Sequence, residues 1–237
     1  MINNKRILAM IPARKNSEEL PNKNLRIFNK KPLIQWTLEE AKKSKYIDKV
    51  LVSSNSEKIL KISKKYKNFI ISKRPNRLCL SNSKIIDAIL YEVKKFRTFD
   101  ILILLQPTSP LRTHKHIDES LISMINNSKR SCVSFVNIKY NPHMFFKIKK
   151  QFKIEKVYKK NNFKPSNRQS YRNYYYPSGD IFISYISRLR KKKTFIDNKT
   201  LPYLIDSQYS SDIDTYFDFK AAEVQKRLKI FLKKYKL

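Results

Sequence analysis

Apolar residues along this chain fall into short continuous runs that alternate with segments of helical spacing. KRILAMI (5–11) is one such run, and reads as a buried strand followed by a polar loop from Pro12 to Lys31. PLIQWTLEEAKKSK (32–45) carries apolar residues at 33, 34, 37, 38 and 41, with Pro in its first turn, and predicts a helix. The same alternation gives a strand at 48–54, a helix at 56–66 opened by Ser56, and a short strand at 68–72. It then gives a helix at 83–96, a strand at 100–106, a helix at 114–126 and a strand at 131–136. Strand and helix repeated in this way predict an α/β fold, a doubly wound and mostly parallel sheet with helices on both faces.

Beyond residue 140 the pattern changes. FFKIKKQFKIEKVY (145–158) predicts a hairpin, and Asn161 to Pro177 a polar, aromatic-rich loop. Strands return at 180–185 and 201–206, and 215–235 predicts a long amphipathic helix. With no repeat and no linker, 1–237 reads as a single domain. The 140–177 stretch is too long for a simple connection and reads as an arm or lid.

Composition narrows the function classes. Aromatics at 12% and apolar residues at 41% are enough for a buried core. No apolar run approaches the ~20 residues of a membrane span. The N-terminal apolar run is too short for a signal peptide. Cys79 and Cys132 lie far apart, so the expectation is a reducing, cytoplasmic setting without disulfides. The net charge of +33 suggests nucleic acid or another polyanion. Against nucleic acid, 39 of the 52 basic residues are Lys, they are spread along the chain, and only one glycine is present. That pattern fits codon drift on exposed positions, and the expectation is no nucleic-acid and no membrane partner.

In open α/β sheets ligands bind beyond the carboxyl ends of the strands. After the first strand, Arg14 and Lys23 flank Ser17, and Asn24 follows. Such a cationic loop can cradle a polyphosphate, although a solvated basic loop would read the same. After the strand 100–106, PTSPLRT stiffens a turn in which Gln106 can offer hydrogen bonds, or it is a rigid structural turn. Gly179, the single glycine, stands beside Ser178 at a plain turn of positive φ or at a place of close ligand approach. Asp212 and Asp214 share a face if extended, which suits a hard cation such as Mg²⁺. Asp218 falls in the first turn of the last helix, where a carboxylate favours the dipole.

These segments carry a resemblance. A-R-x-x-S-x-x-x-P-x-K-N (13–24), KPLIQWTLEEAKKSKYIDKVLVSS (31–54), LLQPTSPLRT (104–113), NRQSYRNYYYPSGDIFIS (167–184) and IDSQYSSDIDTYFDFKAAE (205–223) follow in order. Together they resemble the CMP-N-acylneuraminate synthetase family, cytidylyltransferases that activate nine-carbon acidic sugars with CTP. The resemblance implies that Arg14, Ser17, Lys23, Asn24 and Arg74 hold the nucleotide. It implies that Gln106, Arg168, Gln169, Ser178 and Gly179 serve the sugar, with the Arg168–Gln169 pair reaching its carboxylate. Asp212 and Asp214 would carry Mg²⁺, and they join Arg14 and Lys23 as the catalytic set. The 140–177 segment would be a dimerisation arm that completes the site of a partner in a homodimer.

The chain departs from the family at several places. Glu18 and Glu19 stand where Lys-Gly is usual, Asn55 replaces an Asp, the acidic residue usual near Ser81 and Asn82 is absent, and Ser178 replaces an Asn. Two rival readings follow: a catalytically weak homologue that binds nucleotide or sugar, and a basic nucleic-acid-binding protein.

Overall fold

The computed structural model describes every residue except 1, 3, 139, 151–152, 159–172 and 236–237, together with the side chains at 233 and 234. The chain opens with β1 (Ile7–Pro12), followed by a tiny hairpin of β2 (Ile27–Phe28) and β3 (Lys31–Pro32), and α1 (Leu33–Lys43). Next come β4 (Lys49–Ser54), α2 (Glu57–Lys64), β5 (Phe69–Lys73), α3 (Ile85–Val93) and β6 (Ile101–Leu104). The second half holds α4 (His114–Asn126), β7 (Ser131–Asn137), β8 (Phe146–Ile148), β9 (Ile154–Lys156) and β10 (Tyr175–Tyr185). It ends with α5 (Ile186–Lys192), β11 (Leu201–Leu204) and α6 (Tyr216–Tyr235).

Seven strands form one sheet in the order β11-β7-β10-β6-β1-β4-β5. Every pairing is parallel except those of β10, which runs antiparallel to both β6 and β7. The expected mostly parallel, doubly wound sheet is therefore present. Alternation along β1 divides the core. Ile7, Ala9 and Ile11 face α1, α2 and α4, while Leu8 and Met10 face α3 and α5. β1 is buried on both sides, so its apolar run is unbroken. Its neighbours are β4 on one side and β6 on the other, so the loops after β1 and β6 leave the sheet at a topological switch point.

Differences from the sequence reading are local. Pro32 ends β3 and caps α1 rather than entering its first turn. The expected loop through Lys31 contains the β2–β3 hairpin, whose turn residues Asn29 and Lys30 both have positive φ (45° and 74°), the geometry that fits strand twist. Outside the predicted elements, Ile186–Lys192 form α5, with Ile186 and Leu189 buried beneath a basic surface. β10 begins at Tyr175, and its register shifts between Pro177 and Phe182. The 145–158 hairpin is present as β8 and β9, which pair with each other and not with the main sheet. No helix among the described residues is long and apolar enough to cross a membrane.

One buried cation ties the layers together. Arg112 is 1% exposed and donates to the carbonyls of Asp180 (2.6 Å) and Gln106 (3.3 Å) and to Thr37 Oγ1 (3.0 Å). Burial holds its guanidinium down to about 10. Arg112→Ala takes this donor from the buried Asp180 carbonyl and Thr37 Oγ1, and leaves the Gln106 carbonyl only its longer contacts from Ser109 and Thr37. An unsatisfied group costs about 1–3 kcal/mol, so the substitution should destabilise by roughly 3 kcal/mol or more. Urea denaturation checks this; an unchanged midpoint would assign Arg112 no such role.

Candidate active site

The first wall of the site is the loop after β1. Apolar residues on either side of it, Leu20 and Phe28, are buried in a cluster with Leu33, Ile213, Phe219 and Ala222. Phe28 meets Trp36 and Phe219 edge-on. Between these pins Asn22 adopts φ 56°, and Lys23–Leu25 form one 3-10 turn. The turn sends the Lys23 side chain inward, where it is 8% exposed residue by residue. Its ammonium donates to the Ile213 carbonyl and, at 2.9 Å, to Asp214 Oδ1. Asn24 Nδ2 donates to the Arg14 carbonyl (3.1 Å), and Arg14 Nη1 donates to the Leu80 carbonyl (3.3 Å).

Arg74 closes one end. It is 5% exposed and donates to the Ser53 hydroxyl (3.0 Å) and carbonyl (2.7 Å) at the end of β4. Ser53 in turn donates to Glu92, a fully buried carboxylate on α3 that also accepts from Ser72 and Lys95. Burial pulls the Arg74 guanidinium below its usual range, and the Cys79 thiol and Glu92 oppose that.

The second wall comes from the turn after β6 and the segment before α6. Gln106 Nε2 donates to the Gly179 carbonyl at 3.4 Å. Gly179 sits at φ +81°, in the bulge of β10. A Cβ there would meet Asp212 Oδ2 at 3.6 Å and Gln106 Nε2 at 3.8 Å, ordinary contacts. The requirement for glycine is therefore its backbone conformation rather than crowding within the chain. Ile213 is fully buried and its amide donates to the Thr108 carbonyl (3.1 Å). Anchoring of this middle residue leaves Asp212 and Asp214 on the opposite side, toward the cleft. Burial first, and the charge of Asp214 second, push the Asp212 carboxyl above its usual range. Asp218 accepts from the amides of Asp214 and Thr215 and caps α6. Those amides hold its carboxyl low, in keeping with the helix-start role.

Arg14, Ser17, Lys23, Asn24 and Arg74 line one side of a cleft of about 380 Å³, and Gln106, Asp212 and Asp214 line the other. The structure thus brings together eight sequence-predicted residues. Gly179 lies just behind Gln106 and Asp212. The Ser178 hydroxyl is not brought to the cleft, because it donates inward to Ser134 Oγ (2.8 Å). Arg168 and Gln169 lie outside the described residues.

The departures have physical places too. Glu18 and Glu19 are exposed on the loop and do not line the cleft. Asn55 accepts from the Lys15 amide (2.8 Å) and donates to Asn76 Oδ1 (3.3 Å), so it braces the loop. Ser81 lines the cleft with a hydroxyl. A wider groove of about 890 Å³ lies behind the same loop, between Lys15 and α2, and none of the predicted site residues lines it.

Sequence reasoning missed Arg112, Glu92 and Asp180, the buried charges behind the cleft. The available signal was a charged residue within an inward-facing pattern, as at Glu92 beside Ile89 and Val93.

A family model described as Cytidylyltransferase matches residues 8–237. The N-acylneuraminate cytidylyltransferase of Escherichia coli O18:K1:H7 is 31% identical over 218 residues, covering 92% of this chain and 51% of that protein. The chain thus spans about half the length of the N-acylneuraminate cytidylyltransferases it matches. The CMP-N,N'-diacetyllegionaminic acid synthase of Legionella pneumophila is 31% identical over 229 residues, covering 92% of this chain and 95% of that one. Among solved structures, a CMP:2-keto-3-deoxy-manno-octonic acid synthetase complexed with CTP superposes with a TM-score of 0.69 at 15% identity. That match covers 94% of this chain and 99% of the other, and it shows a shared fold. With the family model spanning nearly all the residues that build the sheet and both walls of the cleft, the chain belongs to the cytidylyltransferase family, that of the CMP-N-acylneuraminate synthetases.

Proposed function

We propose that this chain transfers CMP from CTP to the anomeric hydroxyl of a nine-carbon acidic sugar and releases pyrophosphate. The observation that carries the reading is the single cleft with cations on one wall and an acidic pair on the other, in a chain of this family. The relatives' names, which include sialic-type and legionaminic acids, support the sugar class. The free cysteines, one of them buried in β7, fit a reducing cytoplasm.

In this mechanism the sugar hydroxyl bonds to the α-phosphorus as the bond to pyrophosphate breaks. The protein's part is positioning and charge neutralisation. Arg14 and Lys23, with Ser17, hold the triphosphate, and Asn24 and Arg74 the nucleoside end. Gln106 contacts the sugar, whose carboxylate is the role reserved for Arg168 and Gln169. Gly179 keeps the backbone close behind Gln106.

The acidic pair fits Mg²⁺. Asp214 keeps one oxygen outside its bond to Lys23, and a divalent ion would offset both the burial and, second, the Asp214 charge that raise the Asp212 carboxyl. Among the described residues no group of three His, Cys, Asp or Glu comes together, so the ion would take two carboxylates and otherwise phosphate oxygens and water. When bound, it would offset charge on the α-phosphoryl and leaving oxygens.

A homodimer is part of the proposal. β8 and β9 leave Phe146, Ile148 and Ile154 exposed, with exposed Met144 just before β8, apolar side chains suited to a second copy. The second reading, a binder without turnover, is favoured by Glu18, which puts negative charge on the loop after β1, and by Asn55, which stands in place of an Asp. Pyrophosphate release from CTP with a panel of nine-carbon acids separates the two readings.

Arg14→Ala should weaken CTP binding by about 1.5–3 kcal/mol, the range for hydrogen bonds to charged groups. Isothermal titration with the folded variant checks this, and unchanged affinity would remove Arg14 from the nucleotide site.

Asp214→Asn keeps the volume and removes a charge. Folding should survive, because Asp214 is largely exposed and the cap of α6 is supplied by Asp218. Turnover should fall ~10²-fold or more, as for loss of one preorganised electrostatic group. A near-normal Mg²⁺-dependent rate would place the metal elsewhere.

A further inference from the structure

Three segments that build the second wall meet at one buried carboxylate. Asp180 is fully buried and follows Gly179 in the bulge of β10. Its Oδ2 accepts from the Ser210 hydroxyl at 2.6 Å, two residues before Asp212. Among the described residues its other oxygen is buried without a partner, as is the Ser109 hydroxyl, while the Ser178 hydroxyl is committed to Ser134. Ser109 is fully buried and belongs to the turn that carries Gln106. Arg112 binds the Asp180 carbonyl and the Gln106 carbonyl together, and its charge faces the carboxylate. The Ile213 amide, bonded to the Thr108 carbonyl, is a further direct tie between the turn after β6 and the segment before α6.

A carboxylate in such a place is costly unless it is held by donors. Leucine or alanine would fill β10 more cheaply, so packing alone does not account for the acid. What the residue does there is geometric. Its carboxylate accepts from the segment before α6, while its carbonyl, in the β10 bulge, is bridged by Arg112 to the turn after β6, which couples the positions of Gln106, Gly179 and Asp212.

We propose that Asp180 is a positioning residue for the transfer reaction: through Ser210, and with Arg112 bridging its carbonyl to that of Gln106, it sets Asp212 and Gln106 in register across the cleft. This rests on the reading of the cleft as a cytidylyl-transfer site. It predicts a split between the walls. The phosphate-holding wall, built on β1, does not touch Asp180, whereas the wall with the acidic pair does.

Asp180→Asn removes the charge at constant volume, and Ser210→Ala removes one hydroxyl. Ser210→Thr keeps the hydroxyl. In the full chain, both Asp180→Asn and Ser210→Ala should lower kcat at least tenfold while the CTP dissociation constant stays within about twofold. Mn²⁺ affinity, read by electron paramagnetic resonance without turnover, should fall severalfold. Hydrogen exchange at the Ile213 amide should speed up, and Ser210→Thr should restore all three. If Asp180→Asn fails to fold, Ser210→Ala alone carries the test. Unchanged kcat, Mn²⁺ affinity and exchange would overturn the proposal. So would loss of CTP affinity in parallel with everything else, which marks a merely structural group. A wild-type chain that turns over no nine-carbon acid would end the functional reading, while the exchange measurement would still decide whether Asp180 holds the segments together.

Discussion

A single buried ammonium joins the two ends of this chain. Lys23, in the loop after the first strand, donates to Ile213 and Asp214, some 190 positions later. Hydrogen bonds to charged groups contribute about 1.5–3 kcal/mol each, and burial of the lysine makes an unpaired state costly. The rest of the site depends on this contact, because it fixes the gap between the cationic wall and the acidic wall. The apolar pins around it, Leu20, Phe28 and Ile213, bring the lysine to its partner, so packing and electrostatics reinforce each other here.

The same contact accounts for how opposite charges can serve one polyanion. Asp214 is paired with Lys23, whereas burial first, and the charge of Asp214 second, raise the Asp212 carboxyl. In the proposed reaction a triphosphate entering the cleft would meet Arg14 and Lys23, and a divalent ion arriving with it would relieve the acidic pair. The cleft is therefore balanced for an anion and a cation together rather than for either alone, which distinguishes it from the basic groove behind the loop. That distinction matters in a chain of net charge +33, where basic surface by itself carries little information.

The cleft's supports are polar and buried. Ser53 and Glu92 brace Arg74 from one side, and Arg112 and Asp180 brace Gln106 and Gly179 from the other. In a low-dielectric setting a buried polar network of this kind favours one arrangement, since displacement leaves further groups unpaired. These residues keep the two walls rigid without entering the cleft.

Much of this was legible in the sequence. The unbroken run of β1, the helical spacing of α1 to α4 and the strand at 100–106 fixed the α/β class, because burial periodicity is local. Loop chemistry was legible as well: Arg14, Lys23, Gln106, Asp212 and Asp214 follow strand ends or precede a helix, where open α/β sheets bind ligands. Only the tertiary structure decided that Ser178 turns inward to Ser134, that Asn55 braces the loop, and that α5 is a helix under its basic run. It alone revealed Arg112, Glu92 and Asp180 as buried charges. A strand's apolar period follows from its own residues, but a buried charge is explained by partners distant in sequence, such as Ser210 for Asp180 or Ser53 for Glu92. Those partners meet only when the sheet has closed.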